Sequence, residues 1–169
     1  MDENEKNRLE GIYKDYLNNP LILKMKEVPM HRGSNTYIHS FLVAKASIKK
    51  AIKSKRKLDL ESILIGAILH DYYLYDWRLN KKLLKKHAKS HPFIAKENAK
   101  RDFNISDKVA KIIVSHMWPF NFKLHPKTKE GWIVANKDTF IATKEALTSK
   151  KYKEKRIDKT MKSIEHLFD

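Results

Sequence analysis

The most apolar run of the chain, Ile63–Leu69, ends on two adjacent titratable residues, His70 and Asp71, within the stretch AILHDYYLYDW. An ionised carboxylate taken out of water costs several kcal/mol unless a partner charge or a metal offsets it. Four more residues raise the same question. His39 shares a helical face with Leu42, Val43 and Ala46, and His91 precedes Ile94 and Ala95. His116 follows Val109, Ile112 and Ile113 at helical spacing, and Asp138 groups with Val134, Ile141 and Ala142. Each alone has an ordinary account. A lone histidine on an apolar stripe is commonly a hydrogen-bonded core residue, Asp71 can cap the turn after it, and Asp138 can be a buried cap or ion-pair partner. Together, the four histidines and two aspartates need a common remedy. A pair of divalent cations supplies one, because neutral imidazoles and carboxylates suit zinc, iron, manganese or cobalt. Such ions, about 3.5–4 Å apart, hold a bridging water and bring its pKa toward ~7.

Those residues converge only if helices carry them inward, as in metal-binding bundles, and the periodicity predicts helix almost throughout. Residues 5–17 place Leu9, Ile12, Tyr13, Tyr16 and Leu17 at helical spacing until Asn18-Asn19-Pro20 stops them. A short apolar piece spans Leu21–Met25, and the chain breaks from Pro29 to Gly33. Ser34 or Asn35 caps a helix to about Ile52, the connector KSKRK follows, and Asp59 caps the helix that ends near His70-Asp71. The segment NKKLLKKHAK reads as a loop or short exposed helix, after which Ser90 caps a helix with Pro92 in its first turn, to about Phe103. Ser106 caps the next, which Trp118-Pro119 ends. Thr128 starts a helix to about Leu147, and Tyr152–Phe168 is a last amphipathic one. The expectation is an all-α single domain, a bundle of about six to eight helices.

Composition narrows the classes. A chain of 169 residues is one ordinary domain, long enough to bury about two-thirds of its unfolded surface. It has no cysteine, which excludes a disulfide framework, an iron–sulfur site and thiolate-bound zinc. The polar N-terminus MDENEKNRLE has no signal-peptide core, and no apolar run is long enough to cross a bilayer, so a cytoplasmic protein is expected. The net charge of +16 favours anionic partners. Only six of the 36 basic residues are Arg, the better residue for bidentate phosphate recognition, so most of the charge reads as ordinary lysine surface.

The order His39 … His70-Asp71 … His91 … His116 … Asp138 resembles the HD-domain metal-dependent phosphohydrolase superfamily in its six-ligand form. The words LHDYYLYDW, HPFIAKENAKRDF, IIVSHMWPF and WIVANKD are similar to those of small bacterial HD-domain proteins described only as predicted phosphohydrolases. The likeness covers roughly residues 30–146 and leaves the last helix to packing. It implies that His39, His70, Asp71 and Asp138 hold one metal, and that Asp71 bridges to a second completed by His91 and His116. Asp71 then positions the attacking metal-bound water or hydroxide. Two positions depart from the pattern: Tyr72-Tyr73-Leu74 follows the HD pair where many relatives continue Ile-Gly-Lys, and Thr139 follows Asp138 where Lys is frequent.

The implied reaction is hydrolysis of a phosphate ester or phosphoanhydride, in an anionic small molecule such as a nucleotide. No glycine-rich phosphate loop or serine–histidine pairing is present. Phosphate recognition therefore falls to the metals and to side chains at the mouth, for which His31, Arg32, Asn35, Lys100, Arg101 and Trp118 are the candidates. Core packing is the competing account of Trp118 and Trp77. His87, His125 and His166 lie in polar contexts and receive no role. The same resemblance admits an HD-type di-iron oxygenase. A non-catalytic basic helical protein binding nucleic acid would explain the charge. It would leave His39, His116 and Asp138 on apolar stripes without a reason, and no recognition helix or aromatic–basic interleaving supports it.

Overall fold

Asn35, Asp59 and Ser106 each start a helix by the chemistry of their residue type. Their side-chain oxygens accept from the backbone N–H three residues on, Ile38 at 2.9 Å, Ser62 at 3.0 Å and Val109 at 3.3 Å. The computed structural model describes residues 1–30, 34–79, 81–147 and 157–168. Over these the chain forms α1 (Glu3–Asn18), α2 (Pro20–Leu23), α3 (Thr36–Lys53), α4 (Leu60–Leu69), α5 (Lys81–Phe103), α6 (Asp107–Ser115), α7 (Lys129–Leu147) and α8 (Ile157–Ser163), with short 3-10 turns between some of them. Among the described residues there is no strand, and the all-α expectation holds. None of their helices is long and apolar enough to cross a membrane.

Two elements differ from the reading of the sequence. Residues 81–103 form one helix, so Ser90 caps nothing and Pro92 sits in the helix interior. Proline there removes one N–H, but its neighbours make other bonds: Ser90 Oγ donates to Lys86 O at 3.0 Å and the His91 ring bonds His87 O at 2.9 Å. The carbonyl that Pro92 deprives of its usual donor belongs to Ala88, which is exposed. At the C-terminus the helix ends at Ser163 rather than Phe168, and residues 152–156 of the expected helix lie outside the described residues. Side chains of α1 and α3 capture the chain at that point. Tyr13 Oη donates to Ile164 O at 2.7 Å, Lys45 Nζ donates to the carbonyls of Ser163 and His166, and Leu167 N donates to Glu10 at 2.9 Å. That bend buries Ile164 and Leu167 against the core.

The site-bearing helices pack directly on one another: α3 against α4 and α7, α4 also against α6 and α7, and α5 against α6. Phe41, Ile63, Leu64, Ile68, Ile112, Ile113 and Val134 fill the space between them and are fully buried or nearly so. Each such side chain is worth about 1.5–3 kcal/mol of burial. Lys108 joins the starts of α4, α6 and α7, with Nζ 3.1 Å from both Asp59 Oδ2 and Glu130 Oε1. Those helices deliver His70, His116 and Asp138 respectively.

Candidate metal centre

His39, His70, Asp71, His91, His116 and Asp138 are all buried, the most accessible being Asp138 at 8%. They arrive from α3, the end of α4, the middle of α5, the end of α6 and the middle of α7. Three of the histidines are oriented by their own helices. His70 Nδ1 lies 2.7 Å from Ala67 O, His91 Nδ1 2.9 Å from His87 O, and His116 Nδ1 2.6 Å from Ile113 O. A backbone carbonyl only accepts, so each Nδ1 carries the proton and each Nε2 is left with a lone pair. These Nε2 atoms meet. His91 Nε2 and His116 Nε2 stand 2.9 Å apart, and His70 Nε2 is buried without a hydrogen-bond partner. Converging lone pairs repel unless a proton or a metal ion lies between them.

The carboxylates complete the pattern. Asp71 turns Oδ2 toward His70 Nε2 at 3.5 Å and Oδ1 toward His91 and His116 Nε2 at 3.3 and 3.6 Å. One carboxylate thus faces two sets of imidazoles. Asp138 Oδ1 lies 3.0 Å from His39 Nε2 and 3.6 Å from His70 Nε2. Donor atoms fall within 4.8 Å of one another in three groups: His39, His70 and Asp71; His70, His116 and Asp138; Asp71, His91 and His116. The donor set fits divalent transition metals, which take imidazole nitrogen and carboxylate oxygen.

Protonation follows from the same contacts. Burial pulls His39 down, but hydrogen bonds to Asp138 and Glu145 outweigh it and raise its pKa to about 10. For His70, burial is likewise outweighed by the carboxylates of Asp71 and Asp138, and its pKa rises. His116 goes the other way: burial, then the nearby His70 and His91, lower it to about 3 and keep it neutral. Burial would push Asp71 and Asp138 up, yet the surrounding histidines hold both well below the usual carboxylate range.

Glu145 and His87 join the site without having been marked by the sequence reading. Glu145 Oε2 lies 2.9 Å from His39 Nδ1, and its other oxygen accepts from Ser34 Oγ at 3.2 Å. A carboxylate on the far nitrogen of a ligating histidine fixes the ring and strengthens its ligand nitrogen. His87 stacks between Trp77 and His91, at centroid distances of 5.0 and 4.5 Å, with Nδ1 2.9 Å from the Tyr75 hydroxyl. Both carried a signal: Glu145 is seven residues after Asp138 and His87 four before His91, each on the face of its helix that bears a site residue.

The proposed substrate contacts are scattered. His31 and Arg32 lie outside the described residues. Asn35 spends its side chain capping α3. Lys100 pairs with Asp107 at 3.2 Å, and Arg101 with Asp102 and Asn98. Nine residues beyond His91 put Lys100 about half a revolution around the helix and roughly 13 Å along it. Trp118 packs edge-on against Trp132 at 4.6 Å and lines a neighbouring groove with Phe140 and Leu147. Trp77 instead lines the cavity that opens onto Asp71, His91, His116 and Asp138.

The HD domain family model matches residues 36–143, from the first turn of α3 to near the end of α7. No curated protein and no solved structure matches the chain.

Proposed function

The chain belongs to the HD-domain superfamily of metal-dependent phosphohydrolases, and on that premise we propose that it hydrolyses a phosphate ester or phosphoanhydride of a small anionic molecule such as a nucleotide. In this reading His39, His70, Asp71 and Asp138 hold one divalent cation, and Asp71, His91 and His116 a second. Bound there, such ions lower the pKa of water toward ~7 and neutralise phosphoryl oxygens. The observation that carries the reading is the 2.9 Å approach of the His91 and His116 Nε2 atoms, both lone-pair atoms because both Nδ1 protons go to backbone carbonyls.

The protein's own groups prepare the rest. Glu145 holds His39 in register, and Asp138 and Asp71 supply negative charge that draws cations inward. Water forms the new O–P bond, the P–O bond to the leaving group breaks, and a proton passes to the departing oxygen. The chain from 1 to 169 works as one unit, with α1 and the C-terminal segment packed around an HD core. Elemental analysis of protein purified without chelators or a histidine tag tests this. About two equivalents of iron, manganese, zinc or cobalt per chain, with phosphatase activity on a substrate panel, are expected. A protein that neither holds nor can be reconstituted with metal sinks the reading.

A further inference from the structure

The cavity above the centre has a volume of about 430 Å³, in the range of small-molecule sites. Its walls beyond the site residues are formed by Met30, Trp77, Leu84, Met117 and Phe120, with alanines of α5 and α7 between them. Thr139, Thr143 and His87 add the remaining polar groups. Among the described residues no lysine or arginine lines it. Leu84 and Phe120, 51% and 76% exposed, add two large apolar side chains to its lining.

From this we infer that the cavity selects substrates with a single phosphoryl group on an uncharged, flat and largely apolar body, of the aryl or nucleoside monophosphate class. The inference rests on the phosphohydrolase reading and narrows it. A phosphoryl group seated at the cations is neutralised there. A second or third phosphate lying against these apolar side chains would find no cation to pair with among the described residues, which is unfavourable for an anion taken out of water. Chains that bind polyphosphates supply Arg or Lys for that purpose. The flat side chains of Trp77 and Phe120 instead suit a ring, and Leu84 adds apolar contact.

The test uses the full chain loaded with the metal it purifies with. Calorimetry compares phenylphosphonate, a non-hydrolysable aryl probe, with inorganic phosphate. The aryl probe should bind about tenfold tighter or more, and Leu84→Ser with Phe120→Ser should erase that margin while leaving phosphate affinity and metal content unchanged. In kinetics, kcat/KM for naphthyl phosphate or a nucleoside monophosphate should exceed that for glycerol phosphate and for the matching nucleoside triphosphate. Equal binding of the two probes, serine variants without effect, or preference for the triphosphate would each overturn the inference and leave a phosphohydrolase standing. A metal-loaded protein that hydrolyses no phosphate ester overturns the reading beneath it, and the phosphonate measurement still judges the cavity by itself.

Discussion

Gly66 lies so close to Ile112 that a Cβ added to the glycine would stand 2.7 Å from the isoleucine Cγ2. That approach sets the spacing of α4 and α6. His70 follows Gly66 by four residues and His116 follows Ile112 by four, so the ring pair, 4.8 Å between centroids, rests on the contact one turn below. Gly66→Ala should cost roughly 1–3 kcal/mol through overpacking and should weaken metal binding by moving the two rings apart. Thermal unfolding with and without chelator, together with metal titration, measures both effects. An alanine variant with wild-type Tm and affinity would show that the contact relaxes without reaching the rings.

Asp71 is the residue whose loss should reach both metal positions. Asp71→Asn keeps the shape and removes the charge that faces His70 on one side and His91 and His116 on the other. Bound metal should fall from about two equivalents to one or none, and hydrolysis should fall with it. Stripping the wild-type protein with a chelator should lower its Tm by several degrees, because a ligand at a hundred times its Kd contributes about 2.7 kcal/mol. Asp71→Asn protein that retains both equivalents would exclude Asp71 as the shared ligand.

Glu145→Gln leaves the side-chain volume nearly unchanged and removes the charge on His39 Nδ1. Metal affinity should drop by about tenfold or more, read by competition with a chromogenic chelator. In chelator-treated protein the His39 pKa, raised to about 10 by Asp138 and Glu145 against the pull of burial, should move down in the variant. NMR titration of the ring reports it. An unmoved His39 with unmoved affinity would reduce the Glu145 contact to packing.

His39 and His116 set opposite pH limits on chelator-treated protein. The folded-state pKa of His39 lies above the ordinary 6.5, so its stabilisation is complete below 6.5 and is lost as pH rises toward about 10. His116 is depressed, so its stabilisation is complete above 6.5 and is lost as pH falls toward about 3. Thermal midpoints measured from pH 4 to 10 should therefore decline on both sides of near-neutral pH. His116→Gln should flatten the acid limb and spare the alkaline one. An acid limb of wild-type steepness in that variant would assign it to other groups.

The six residues at the centre were legible in the sequence because a charged or imidazole side chain on an apolar stripe breaks the binary pattern. Capping residues were legible too, since Asn35, Asp59 and Ser106 act within three residues of themselves. Pro92 misled because the one carbonyl it leaves without a helical donor belongs to exposed Ala88, so the helix runs through the proline at little cost. His87 and Glu145 were hidden by their lysine-rich surroundings, although their spacing from His91 and Asp138 was available. Lys100 and Arg101 were assigned by closeness along the chain, whereas the helix turns them to acidic neighbours.

Hydrogen bonds from His70, His91 and His116 to carbonyls three or four residues back have one more consequence. Each of these histidines forms a self-contained cassette with the turn that precedes it, its tautomer written into local geometry. Such a unit is portable. A designer could graft it onto an unrelated helix and inherit an Nε2 donor aimed along a known direction, with no surrounding shell to copy. His39 lacks this independence, since its orientation comes from α7, and it is the histidine a transplant would have to rebuild.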